Sequence, residues 1–470
     1  MPLYEKNKTL RVAMLPIRRG IPAKRKGAFP PEAAVAVKNM AIDYLRSLEK
    51  EADIEVIDID FINDEGVARD VAEADAIAEY MKEKKADAVF IIQCNFGCEE
   101  VAGRVCKLVN KPVILWGPRD PQIAKDGGRP LDTQCGLFAT SRILRRYGIP
   151  YSYIENCDIT DPVFKNDFYD FLAVVNVVKT FRDMRIGQIS NRPKYFTTVM
   201  INENELMENF GIEVVPINIA MVKAKMDQIF ETRPEQAQAA LDDIKNRFDC
   251  SQTPDEEMLR NTACLKLALL DLVKEQNLSG LTMECWTLTL DAIHAIPCIA
   301  VGDLTDMGIP FGCETDVLGT IGSILAEAAV RFRESSFFGE FTVRSRDDDN
   351  TELMWHCGNA PYSLKDSAST AGLINARENF ALKKGPITIV RFDSDRGQYY
   401  LFADEAESVE GTYTTGTYLW AKMDNWVKWE KKFIYGPYIH HTSIVYGHVK
   451  KILKEACRFI SGVQYDSVED

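Results

Sequence analysis

Long apolar runs are missing from the 470-residue sequence. No stretch of about 18 apolar residues is available to cross a bilayer, and the opening MPLYEKNKTLRVAM has no apolar segment behind its basic residues. Both absences predict a cytoplasmic protein with no membrane partner. Positive charge is also scarce: 56 Lys and Arg against 70 Asp and Glu leave a formal net charge of −14. That excludes the sequence-independent affinity for nucleic acid that an excess of cations provides. Paired cysteines are absent as well. The twelve Cys stand singly with no CxxC, and read as free, mostly buried thiols rather than a disulfide framework or thiolate metal site. No GxGxxG opens a helix after a strand and no GxxxxGK[ST] occurs, so neither a dinucleotide nor a P-loop site is supported. Histidine numbers only five, yet His440, His441 and His448 fall together in YGPYIHHTSIVYGH.

At 46% apolar and 27% charged residues the composition is that of a folded globular protein, and the length suits two or three domains. Residues 1–165 alternate β-rich runs (LRVAMLPI, DIEVIDID, ADAVFIIQC) with helical patterns, the signature of βα units in a parallel sheet. Residues 166–336 read as a second α/β domain with long helices. From 337 to 470 the texture changes to short strands such as EFTVRS, ELMWHCG, ITIVRFD and QYYLFAD, which suggest a barrel or sandwich. The expected fold is two open α/β (Rossmann-like) domains followed by a C-terminal β-barrel-like domain.

Chemistry concentrates at a few places. NFGCEE and LWGPRD follow predicted strands, where α/β sheets bind ligands, so Asn95, Gly97, Trp116 and Arg119 are either plain turn residues or substrate contacts. LPIRRGIPAKRKGAF carries Arg18, Arg19, Lys24, Arg25 and Lys26. It is a solvated loop, or it presents forked guanidinium groups to a polyhydroxylated or anionic ligand. In FGCETDVLG, Glu314 and Asp316 stand at the mouth of an apolar helix, where a carboxylate can simply cap the orphan N–H groups. Glu340 in FFGEFTV and His356 in MWHCGN are flanked by apolar residues. With His440 and His441 they make a carboxylate and imidazole set without thiolate, suited to Mn²⁺ or Mg²⁺. Neighbouring side chains on a strand point to opposite faces, so one histidine of the 440/441 pair is expected to ligate and the other to orient it or contact substrate. His448, beyond a glycine, reads as structural.

Taken in order, IRRG, NFGCEE, LWGPRD, ENELMENFGIEVV, LTMECW, GIPFGCETDVLG, FFGEFTV, HCGNAPYSL and IHHTSIVYGH resemble the L-fucose isomerase and L-arabinose isomerase superfamily over nearly the whole chain. The sequence is shorter than a typical fucose isomerase and is closest in pattern to the fucose isomerase-like branch. The resemblance implies a divalent metal, commonly Mn²⁺, with Mg²⁺ or Co²⁺ as substitutes. Its ligands would be Glu314, Glu340 and His441 or His440, and His356 matches a further ligand of arabinose isomerases. It implies substrate contacts from Arg18, Arg19, Asn95, Trp116, Arg119 and Trp286. It also implies a homo-oligomer, a hexamer by preference, with the active site at a subunit interface. The implied activity is aldose–ketose isomerisation of a monosaccharide through an enediolate, with Glu314 and Glu340 as the proton-transfer pair. Two alternatives stand beside it: the same chemistry on a sulfonated or phosphorylated hexose such as sulfoquinovose, held by the basic loop, and a non-catalytic sugar-binding protein.

Overall fold

The computed structural model describes residues 9–20, 29–123, 125, 127–182, 184–253, 255–285 and 288–469. The chain divides into two compact units, one ending at Lys179 and one running from Thr180 onward. Among the described residues no helix is long and apolar enough to cross a membrane.

In the first unit strands and helices alternate: β1 (Leu10–Ile17), α1 (Pro31–Ser47), β2 (Ile54–Ile57), α2 (Ala74–Glu83), β3 (Ala88–Gln93), α3 (Glu99–Val109), β4 (Val113–Trp116), α4 (Thr133–Arg146), β5 (Ser152–Tyr153) and α5 (Pro162–Phe181). The strands are parallel in the order β2-β1-β3-β4-β5. Strand β1 sends Val12 and Met14 into one core, with α1 and α5, and Ala13, Leu15 and Ile17 into the other, with α2, α3 and α4. A strand buried on both faces needs apolar residues at every position, which is why LRVAMLPI lacks polar alternation. Helix α5 drives Phe164, Phe168 and Phe171 into the first of these cores, the Phe164 ring lying 5.0 Å from that of Trp116. The unit therefore extends to Lys179, past the boundary expected at residue 165. The strand order reverses between β1 and β3, so the loops bearing Arg18, Arg19 and Asn95 flank the crevice where sheets of this order bind ligands.

The second unit opens with β6 (Arg185–Ile189), α6 (Glu203–Phe210), β7 (Glu213–Ile217), α7 (Ile219–Thr232), α8 (Pro234–Arg247), β8 (Asp249–Gln252), α9 (Glu256–Gln276), β9 (Gly280–Met283), α10 (Leu288–Ile293), α11 (Cys298–Asp306), β10 (Phe311–Cys313) and α12 (Val317–Ala329). Four of its strands form a parallel sheet in the order β10-β9-β6-β7. Then come β11 (Phe337–Arg344), β12 (Thr351–His356), β13 (Gly372–Ile374), β14 (Arg377–Ala381), β15 (Gly385–Asp395), β16 (Gln398–Val409), β17 (Thr417–Lys422), α13 (Trp426–Tyr435), β18 (His441–Tyr446), α14 (Lys450–Cys457) and β19 (Val463–Asp466). The run β16-β15-β18-β11-β12-β17 returns to β16 through Glu407–Val409 against Trp420–Lys422, which closes a barrel. Strand β8, from the stretch read as the middle domain, pairs with β13 and joins the barrel sheet. Leu241 and Ile244 of α8 and Leu259 of α9 enter the same core as the barrel's Phe380 and Phe402.

Helix α12 is buried at every position. A helix apolar all round belongs inside a protein, and this one packs against β9 and β10 on one side and β15 and β18 on the other. Its glycines permit the approach: a Cβ at Gly319 would lie 2.5 Å from Asp316 Oδ2 and 2.8 Å from Arg391 Nη1, and one at Gly322 would lie 3.2 Å from the Phe392 amide nitrogen. Gly319→Ala should therefore cost about 1–3 kcal/mol through overpacking. Urea denaturation followed by circular dichroism measures this, and an unchanged midpoint would show that α12 has room to spare.

Candidate metal centre

Antiparallel pairing of β11 with β18 sets Glu340 opposite His441. The ladder begins at His441, so His440 lies before the strand and is not bound by its alternation. Both rings consequently turn toward one carboxylate. His440 Nε2 is 3.4 Å and His441 Nε2 is 3.6 Å from Glu340 Oε2, with the ring centroids 4.6 Å apart. This corrects the expectation that the pair must diverge. The third participant, Glu314, stands at the carboxyl end of β10 and places Oε2 3.8 Å from His441 Nε2. Glu314 and Thr315 have φ of +67° and +62°, a left-handed conformation costing roughly 1–2 kcal/mol for each non-glycine residue. Both amides donate to the Met283 carbonyl, at 3.0 and 3.3 Å, and hold the turn.

Behind these residues lies a buried ionic chain. Asp316 caps α12, its Oδ1 accepting from the Gly319 amide at 2.8 Å. Its Oδ2 accepts from Arg391 Nη1 at 2.5 Å and from His441 Nδ1 at 3.2 Å, and Arg391 Nε donates to Asp393 at 2.8 Å. Burial alone would raise the Asp316 carboxyl, but the Arg391 guanidinium and His441 outweigh it and hold the group well below the usual carboxylate range. With Nδ1 committed as donor to an ionised acid, the neutral His441 ring carries its lone pair on Nε2, facing the two glutamates, the tautomer a metal ligand requires. Burial opposes a charge on His441, yet the bond to Asp316 and the neighbouring Glu340 and Glu314 carboxylates push its pKa up to about 9.

Glu340, His440 and His441 offer three ligand atoms within 4.8 Å of one another. Ligands about 2.1 Å from a shared cation stand about 3 Å apart when adjacent and about 4.2 Å when opposite. The observed 3.4–3.8 Å gaps fall in that range. His441 Nε2 is buried with no hydrogen-bond partner, the kind of orphan a cation would satisfy. Oxygen and imidazole donors suit Mn²⁺, Mg²⁺ or Co²⁺, so the residues fit the implied metal. His356 stands apart from them. Its Nδ1 accepts from the Cys357 amide at 2.9 Å, so in the neutral ring the proton resides on Nε2. In that tautomer the buried, unpartnered N–H is a donor. Phe338 and Phe196 wall the centre, with ring centroids 5.1 and 5.4 Å from that of His441.

The other expected residues lie elsewhere. Arg18 is closed on Glu65, with Nη2 2.8 Å from Oε1, and is not free to meet a ligand. Arg19 stacks over Phe96 at 4.2 Å, reaches Glu99 at 3.0 Å, and donates its amide to Asn95 Oδ1. Asn95 is buried, with its Nδ2 unpartnered. Trp116 is fully buried in the first unit's core. Arg119 is exposed, with its Nε 3.4 Å from the Asn156 carbonyl. Lys24, Arg25, Lys26 and Trp286 lie outside the described residues. His448 is exposed beside Glu405, and all twelve cysteines are free. Sequence reasoning saw Asp316 as a cap and missed its second task. It also missed Arg391 and Phe196, which carry no local signal.

A family model described as the N-terminal domain of fucose/sulfoquinovose isomerase matches residues 20–182. The sulfoquinovose isomerases of Priestia megaterium (strain ATCC 12872 / QMB1551) and Priestia aryabhattai are each 25% identical over 410 residues, covering 84% of this chain and 89% of theirs. That of Alkalicoccus urumqiensis is 26% identical over 335 residues, 69% of this chain and 73% of its own. With the fold, these likenesses define an aldose–ketose isomerase. Both likenesses support the resemblance to the fucose isomerase-like family.

Two expectations follow for the centre. Asp316→Asn frees the His441 tautomer and unbalances Arg391, so Mn²⁺ affinity should fall about 10–100-fold, read by calorimetry alongside the denaturation midpoint, which should also drop. Because His441 holds its proton up to about pH 9, a metal must displace that proton at neutral pH, and affinity should rise about tenfold per pH unit on approach to pH 9. Calorimetry in buffers of different ionisation enthalpy counts the released proton; a flat pH profile would contradict His441 as the ligand.

Proposed function

We propose that the chain is a divalent-metal-dependent isomerase of an anionic hexose, with Glu314 and Glu340 as the proton-transfer pair. The convergence of both carboxylates on the unpartnered Nε2 of His441 carries this reading. The matched relatives are named for sulfoquinovose, a sulfonated hexose, and that supports an anionic substrate.

Isomerisation moves a proton from C2 to C1 and another from O2 to O1, and the C2 proton leaves only if the enediolate is stabilised. Glu340, Glu314 and His441, with His440 at the rim, would hold the cation. When bound, it supplies Lewis-acid stabilisation of charge on O1 and O2, worth several kcal/mol. The rest falls to the protein. Burial raises the Glu340 carboxyl, but His441 and the nearby imidazoles of His356 and His440 more than offset it and keep the group below its ordinary value, ionised and able to accept a proton. Glu314 faces the same histidine, so the two acids take the carbon-bound proton and return it to the adjacent carbon. The Nε2–H of His356 is available to orient a sugar hydroxyl, and the Phe196 and Phe338 rings lower the local dielectric.

Chelator-treated protein should convert no aldose to ketose until Mn²⁺, Mg²⁺ or Co²⁺ is restored, as followed by ketose-specific assay on neutral and sulfonated aldoses. Activity indifferent to metal would reject the reading. Glu314→Gln and Glu340→Gln should each lower kcat by at least about 10²–10⁴-fold with an unchanged circular dichroism spectrum. Sugar binding by calorimetry with no ketose product would point instead to a non-catalytic binding protein.

A further inference from the structure

Among the described residues, the arginines read from sequence as anion binders do not present free charges, since Arg18 is closed on Glu65 and Arg19 reaches Glu99. Two other cations do. The loop after β6 carries Arg192 and Lys194 into a cavity of about 530 Å³ at the carboxyl edge of the parallel sheet. Arg192 is half-buried and its Nη1 meets only the Pro193 carbonyl, at 3.0 Å; Lys194 lies 5.2 Å from the Tyr195 ring. Neither has a carboxylate partner among the described residues, on a chain whose net charge is −14. The other large cavity, of about 600 Å³, differs in this respect: its Lys383 is neutralised by Glu334 at 2.8 Å.

The cavity and the metal centre adjoin. Four residues beyond Arg192, the same loop packs the buried Phe196 ring against His440 and His441, with centroids 5.7 and 5.4 Å away. The wall toward that centre includes Glu284, the residue after Met283, whose carbonyl holds the Glu314 turn. Strands β10, β9 and β6 are consecutive in the sheet, so the ends bearing Glu314 and Ser190 stand two strand spacings apart, about 10 Å. That is the reach of an open-chain hexose with its C1 end at the metal and a substituent on C6. Strand order also reverses at β6, where open α/β sheets bind ligands. Glu284, the one carboxylate among the described lining residues, follows β9, the strand between β10 and β6, and so stands toward the metal centre.

We propose that Arg192 and Lys194 form the specificity subsite for an anionic group at the far end of the hexose. This inference rests on the isomerase reading for the position of C1 and C2, and the forked guanidinium of Arg192 matches the oxygens of a sulfonate or phosphate.

The test is calorimetric binding of a C6-sulfonated aldohexose and its C6-hydroxyl counterpart to the full chain and to Arg192→Ala/Lys194→Ala, with a thermal melt as the folding control. Wild type should bind the sulfonated sugar about 10–100-fold more tightly than the neutral one, and the double variant should lose that preference. Arg192→Lys should restore part of it. Equal affinities in wild type, or an undiminished preference in a folded double variant, would overturn the subsite. Ketose formation from either sugar is scored separately, so failure of the isomerase reading is told apart from failure of the subsite.

Discussion

One carboxylate, Asp316, joins the elements on which the centre depends. It caps the helix between the parallel sheet and the barrel, neutralises Arg391 on β15, and fixes the tautomer of His441 on β18. Asp316, Arg391 and His441 are all essentially without solvent exposure. Desolvating such charges costs several kcal/mol each, and an apolar core of similar volume would often be as stable. The chain thus accepts an expensive polar interior, and what it gains is a histidine ring held in one orientation and one protonation pattern.

The position of this interior follows from how the two sheets meet. A parallel strand ends in a turn that can present a side chain beyond the sheet edge, and Glu314 is delivered there by β10. An antiparallel pair brings residues face to face across a ladder, and Glu340 and His441 are delivered so by β11 and β18. Neither sheet alone supplies all three. Helix α12 makes the meeting possible because its small residues let β15 and β18 approach: Ser323 and Ser443 exchange a hydrogen bond at 2.7 Å across that contact.

Much of this was legible in the sequence where periodicity and burial agree. The parallel strands announce themselves as unbroken apolar runs, and the C-terminal strands as short β-rich segments between turns. Glu314, Glu340 and the histidine pair were readable as a ligand set by residue type. What stayed hidden was long-range. Arg391 sits 75 residues from Asp316 in a stretch, ITIVRFD, that reads as an ordinary strand. Glu65 lies 47 residues from the Arg18 it occupies. The divergence expected of His440 and His441 fails by a single residue, because strand alternation binds only residues inside the ladder. Trp116 looked like a ligand-loop residue because LWG ends a strand, but α5, assigned by sequence to the next domain, supplies the phenylalanines that bury it.

Two features of the candidate metal centre are unfavourable in the bare protein, and a third sets its charge. Two successive non-glycine residues are held at positive φ, a buried imidazole nitrogen has no partner, and Glu314 and Glu340 crowd one histidine while the chain's nearest buried guanidinium is already committed to Asp316. Strain of this kind persists where the surrounding structure over-determines it and function uses it. The proposed cation would act on the last two together: taking the place of the His441 proton at Nε2 and balancing both carboxylates, it would stabilise the fold by mass action. The coincidence of these features at one histidine is the physical argument for the ion proposed there.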